Sequence, residues 1–182
     1  MRILGVFFSL AAFVLPGVSG SAQVESTPVP LSSKPDFSKM LFLTGTWNCT
    51  VRSSRRPGPY MTTLVGTMNT NGYWIDTRTT VHKAPWIPRS FVATDHLTWD
   101  ASTSRWVDVS TDEIGGYDLS TSTGWHGNKI VWTDVAYPKS NATAVNNPTT
   151  MTKLSDTKTS SVNTFKEPSG RTVSVTTNCT KQ

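Results

Sequence analysis

The chain has 182 residues, 17 Lys and Arg against 12 Asp and Glu, a formal net charge of +5 and only 16% charged residues. That length suits one domain with an N-terminal appendage, and the scarcity of charged helix formers beside 29 Thr and 21 Ser excludes a coiled coil or a helical bundle. A 36% hydrophobic fraction that includes 7 Trp is too apolar for a disordered chain, and the sequence lacks the repeated long apolar runs of a polytopic membrane protein.

Residues 1–22 read as a secretory leader: Met1-Arg2 is the positive end, 3–15 is an apolar run, and Gly20-Ser21-Ala22 supplies small residues for cleavage near Ala22. The run is too short to span a bilayer and Pro16-Gly17 ends it, so stable membrane insertion is not expected. The expected location is secreted or periplasmic. Residues 23–36, rich in Pro, Ser and Thr, read as a flexible linker, and 37–182 as a single domain. A short helical turn is expected around 36–41, capped by Asp36 or Ser38. The positive charge is dispersed apart from Arg52, Arg55 and Arg56, which points to solubility rather than to nucleic acid.

From Leu41 onward the chain divides into strand-length runs at about 43–53, 60–69, 72–82, 89–99, 104–112, 117–123, 128–136, 148–154, 158–166 and 171–180. The breaks carry turn residues: Asn71-Gly72, 100–104, Gly115-Gly116, Gly127-Asn128, 155–157 and 167–170. Short turns force sequence neighbours to pair, so the expected fold is all-β, an antiparallel up-and-down barrel of 8–10 strands, with a two-sheet sandwich as the alternative.

Cys49 shares a strand face with Gly45, Trp47 and Val51, and Cys179 shares one with Val173 and Val175. In a closed barrel with an even number of strands the first and last are antiparallel neighbours, which brings both cysteines within reach of a Cys49–Cys179 disulfide. Closing so long a loop is worth roughly 4 kcal/mol in the chain-entropy model.

Leu43-Thr-Gly-Thr-Trp47 at the first strand, the Thr-rich second strand ending in Asn-Gly, Asp95 to Asp100 (Asp-x-Leu-x-Trp-Asp) and Trp125 to Gly127 (Trp-x-Gly) cover about 140 residues of resemblance. Together they resemble the calycin group of lipocalins, fatty-acid-binding proteins and nitrobindin-like barrels, and most of all a bacterial family of secreted domains of unknown function. The resemblance implies a monomeric barrel around a ligand cavity, with the first hairpin loop, bearing Arg52, Arg55 and Arg56, at its mouth. Lipocalins place an Arg of the last strand over the first-strand Trp. Here Cys49 opposite Cys179 would set Trp47 against Lys181 and Arg171 against Pro57, leaving Lys181 as the cation over Trp47. Thr133-Asp134-Val135 mimics the lipocalin Thr-Asp-Tyr, but no helix follows it. A nitrobindin-like haem would need a His late in the chain, and the last is His126, so no cofactor is carried over.

The three His (His82, His96, His126) stand singly, without metal-ligand spacing. His96 beside Asp95 is expected on the outer face, because adjacent strand residues point opposite ways. Asp112-Glu113 reads as a solvated turn rather than a calcium loop. Three Trp-x-Asp pairs, Trp74/Asp76, Trp106/Asp108 and Trp132/Asp134, each put both residues on one strand face, and Arg78 joins the first. If those faces line the lumen, Trp74, Asp76, Arg78, Trp106, Asp108, Trp132 and Asp134 make an aromatic, polar-anchored site for a small amphipathic or aromatic ligand. Two other readings stand beside it: an enzyme using paired lumen carboxylates as acid and base, or an envelope-binding module with exposed aromatics and no cavity. Asn48, Asn141 and Asn178 head Asn-x-Thr sequons, the first and last facing outward if the cysteines face in.

Overall fold

The computed structural model describes residues 33–136, 148–167 and 169–182. The leader at 1–22, most of the linker and the sequon of Asn141 lie outside them. Contacts divide the chain into Met1–Leu31 and Ser32–Gln182, and the second unit carries all the structure described below.

Ser and Thr alternating with Val, Leu and Trp favour extended backbone, and turn residues cut it short. The strands are β1 (Gly45–Ser53), β2 (Tyr60–Met68), β3 (Ile75–Val81), β4 (Phe91–Asp100), β5 (Arg105–Asp112), β6 (Tyr117–Ser122), β7 (Trp125–His126), β8 (Lys129–Ala136), β9 (Pro148–Ser155), β10 (Lys158–Lys166) and β11 (Thr172–Lys181). Each long strand pairs antiparallel with its sequence neighbour; β6 reaches past the two-residue β7 to pair with β8, and β11 returns to β1. The result is a closed, ten-staved, up-and-down barrel, with β7 a short appendage on β8. Closure satisfies the edges that a sandwich would leave open.

Cys49 sits opposite Cys179 in the β1–β11 register and the two form a disulfide with Cα atoms 4.0 Å apart. The same register sets Trp47 against Lys181, whose Nζ lies 5.5 Å from the Trp47 ring centroid and donates to the Phe42 carbonyl at 3.2 Å. Asn48 and Asn178 are exposed, pointing away from the disulfide.

One end of the barrel is stoppered. The helical turn expected at 36–41 is present: the Phe37 carbonyl accepts the N–H groups of Met40 and Leu41 at 2.6 and 2.9 Å, Asp36 Oδ1 accepts the Ser38 N–H at its start, and a 3-10 turn over Leu41–Leu43 continues it. The two turns carry Phe37, Met40 and Phe42 into the barrel end, where all three are buried. Phe37 packs on Trp106 with centroids 5.4 Å apart; Phe42 meets Trp47 and Trp125 edge-on at 6.3 and 5.7 Å. Gly66 is the concession that lets the stopper seat, because a Cβ there would collide with the Leu43 carbonyl. The hairpin loops after β1 and β3 mark the opposite end, the mouth.

Candidate functional site

Every second residue of a stave faces the lumen. On β1 these are Trp47, Cys49 and Val51; β2 adds Tyr60, Thr62 and Leu64; β3 adds Thr79 and Val81; β10 adds Thr159 and Ser161; β11 adds Val175, Thr177 and Cys179. With Leu43 and Met151 they enclose a cavity of about 340 Å³. Among the described residues its lining holds no charged side chain: it is aliphatic and aromatic, studded with hydroxyls.

The neighbouring wall differs. Asp95 on β4, Asp108 on β5, Asp118 on β6 and Asp134 on β8 share the inward register of their staves. Asp95 pairs with Ser110 and Ser110 with Asp118, while Asp108 pairs with Ser120 and Ser120 with Asp134. Two rows of alternating Asp and Ser therefore run around the wall, offset so that carboxylates lie diagonally. Thr77 Oγ1 donates to Asp95 Oδ2 at 2.6 Å. Oδ1 of Asp108 and Oδ1 of Asp118 are sealed from solvent without a hydrogen-bond partner. Burial, reinforced by Asp95 and Asp118, pushes Asp108 well above the usual carboxylate range. Burial chiefly raises Asp118, with Asp95 adding to it, and burial together with Asp118 pushes Asp134 up to about 6. Among the described residues no three His, Cys, Asp or Glu converge as a metal centre.

The seven residues expected to share one lumen are divided. Asp108 and Asp134 belong to the acidic wall. Trp132 is partly buried and packs against the core cluster that includes Phe37 and Met40 of the stopper. Trp106 faces inward but is a floor residue, 8% exposed, wedged between Phe37 and Trp99, so it is packing rather than cavity wall. Trp74, Asp76 and Arg78 require correction: they face outward, and Trp74 precedes β3, which starts at Ile75. The reason is the other half of the alternation. Ile75, fully buried, and Thr77 occupy the core with Leu97, so the intervening charges must take solvent. Outside, Asp76 Oδ1 lies 2.8 Å from His96 Nδ1, and both line a shallow groove of about 440 Å³ with Asn69, Trp74 and Val109.

Sequence reasoning singled out neither Asp95 nor Asp118 for the lumen. A usable signal existed in Asp95-x-Leu97-x-Trp99, which puts a carboxylate in step with two large apolar residues. At the mouth, Arg55 and Arg56 border a cavity of about 230 Å³ with Tyr60, Trp86, Phe91 and Phe165. Arg55 is engaged by Glu167 at 2.8 Å, which also holds Arg171 at 2.7 Å. Asp112 closes the β5–β6 turn by accepting the Ile114 N–H, and Glu113 accepts that of Val92, so this pair serves the loop. His82 Nε2 lies 2.8 Å from Thr63 Oγ1 on the outer face.

No family model matches the chain, and no curated protein matches it.

Proposed function

We propose that this chain is an exported, calycin-like barrel that binds a small amphipathic molecule in its lumen without transforming it. The observation that carries the reading is the cavity of about 340 Å³ inside a barrel stoppered at one end, with an uncharged, hydroxyl-studded lining. Such a space takes an apolar body and orients it with a few polar contacts. The disulfide suits an oxidising compartment, in keeping with secretion or a periplasmic location.

The test is titration with N-phenyl-1-naphthylamine, a neutral dye that brightens in apolar surroundings. It should bind the disulfide-bonded protein. Val51→Trp and Thr177→Trp, which fill the cavity from β1 and β11, should each weaken it at least tenfold while the strand circular dichroism stays intact. Undiminished binding to both filled variants would overturn the lumen as the site. The groove of Asn69, Trp74, Asp76 and His96 supports a second reading, in which the barrel wall docks on envelope polysaccharide. Retention on a polysaccharide column that is lost in Trp74→Ala would favour it.

A further inference from the structure

Four carboxylates enter the lumen from four successively paired staves, yet the chain as a whole is basic, with a formal charge of +5. Long-range attraction therefore does not account for them; the sign is inverted locally. Among the described residues, the inward positions of β4, β5, β6 and β8 carry no Lys or Arg to neutralise them. Thr77 serves Asp95. Oδ1 of Asp108 is sealed and unpartnered, and Oδ1 of Asp118 is likewise orphaned. Buried acceptors without donors are costly, and carboxylates more so than neutral groups, so the wall is built short of a donor or a cation.

Calcium or magnesium is the poorer candidate, since each asks for about six or more oxygens and, among the described residues, no three ligating side chains converge. An ammonium asks less: two or three acceptors, each met by an N–H. The wall also adjoins an apolar space. On β3, Thr77 holds Asp95 while Thr79, the next inward residue, lines the cavity of about 340 Å³. Consecutive inward positions stand about 7 Å apart along a stave, so the cavity edge at Thr79 lies one such step from the row of Asp95 and Ser110, to which Asp108 is the diagonal neighbour.

We propose that the lumen takes an organic cation, its ammonium head against Asp108, Asp118 and Asp134 and its apolar body in the cavity lined by Thr79, Val51 and Thr177. This names the ligand class for the lumen site proposed above and rests on that reading. A protonated amine supplies the donors that the sealed oxygens lack and the charge that lets the carboxyls ionise. Binding therefore releases protons from the wall, and affinity weakens as the medium is acidified. Four carboxyl side chains face the head group from this wall, those of Asp95, Asp108, Asp118 and Asp134. Asp112 stands next in the β5 series towards the mouth, and Lys153 and Lys181 lie at the stopper end, each over a ring of the floor.

Three probes of one shape separate the outcomes: 4-phenylbutylammonium, 4-phenylbutan-1-ol and 4-phenylbutanoate, titrated calorimetrically into the disulfide-bonded full chain at neutral pH. The ammonium should bind at least tenfold more tightly than the alcohol, and the carboxylate should give no binding. Asp108→Asn and Asp134→Asn should each cut the ammonium's advantage over the alcohol to less than twofold. Two variants are used so that a folding defect in one leaves the other decisive. If the alcohol or the carboxylate matches the ammonium, or if the advantage survives both substitutions, the cation assignment is overturned. Displacement of N-phenyl-1-naphthylamine tells this failure from that of the lumen reading. Dye binding that the cavity-filling variants abolish, with no ammonium preference, sinks only the cation. Dye binding insensitive to those variants, or no dye binding, sinks both.

Discussion

The two walls of the lumen are built from the same alternation and meet different fates. Along β1, β2, β10 and β11 the inward positions hold Val, Thr, Leu and a disulfide, and each group is content whether or not anything occupies the space beside it. Along β4, β5, β6 and β8 they hold Asp and Ser beside a floor of Leu97, Trp106 and Ile130, and two carboxylate oxygens are left sealed without donors. The first wall is a frame whose value lies in stability. The second sacrifices stability, which is how binding surfaces are commonly distinguished from scaffolding.

The largest test of that contrast is to cut the frame. Cys49→Ser together with Cys179→Ser, which reopens a loop of sequence separation 130, should cost about 4 kcal/mol in urea denaturation. Trp106→Ala, at the floor where both walls end, should cost about 3 kcal/mol, since it voids a site packed by Phe37 and Trp99. A loss that small or larger, with dye binding kept, would mark Trp106 as packing; lost dye affinity in a barrel of unchanged stability would restore it to the ligand wall.

The next two act within the acidic wall and should have opposite signs at neutral pH. Thr77→Val removes the donor to Asp95 and should destabilise by about 2 kcal/mol. Asp134→Asn should stabilise. Its carboxyl, pushed up to about 6 by burial and by Asp118, holds its proton more tightly folded than unfolded. Stability from this group is therefore complete below pH about 4 and is lost as pH rises through about 6. The substitution should accordingly gain about 1 kcal/mol at pH 7, allowing for solvent screening of a half-exposed group, and nothing at pH 3.5. Urea midpoints at the two pH values decide it; a gain at both would point to a cause other than ionisation.

The smallest effect is expected outside. Asp76→Asn loosens a partly exposed pair with His96 and should shift stability by about 0.5 kcal/mol or less, because water screens both partners. A shift above about 2 kcal/mol would mean that the β3 charges matter to the core after all.

The fold was legible because its determinants are local or follow from closure. Turn residues such as Asn71-Gly72 and Gly127-Asn128 delimit staves within a few residues, and an even stave count fixes which faces β1 and β11 share, hence Cys49 with Cys179 and Lys181 over Trp47. The site was only half legible. On β3 a prominent Trp74 drew attention to the wrong face, whereas Ile75, Thr77, Thr79 and Val81, uncharged throughout, were the better guide to what a core accepts. Nothing local marks Asp95 and Asp118 as members of one cluster with Asp108. Their proximity depends on the stagger between staves, a property of pairing register that no single strand contains.

The disulfide also decides how the molecule bears load. Gln182 donates its N–H to the Thr46 carbonyl, so the chain enters and leaves the barrel at one place, and Cys49–Cys179 bridges the two routes covalently. Tension applied at the two ends of the polypeptide runs through that bridge and bypasses the 130-residue span of staves between the cysteines. The ends can fray while the bulk of the barrel carries no force. Reduction removes the bypass and puts the whole span in series, exposing roughly 45 nm of further contour at about 0.35 nm per residue. The bond thus acts as a mechanical shunt as well as a thermodynamic staple.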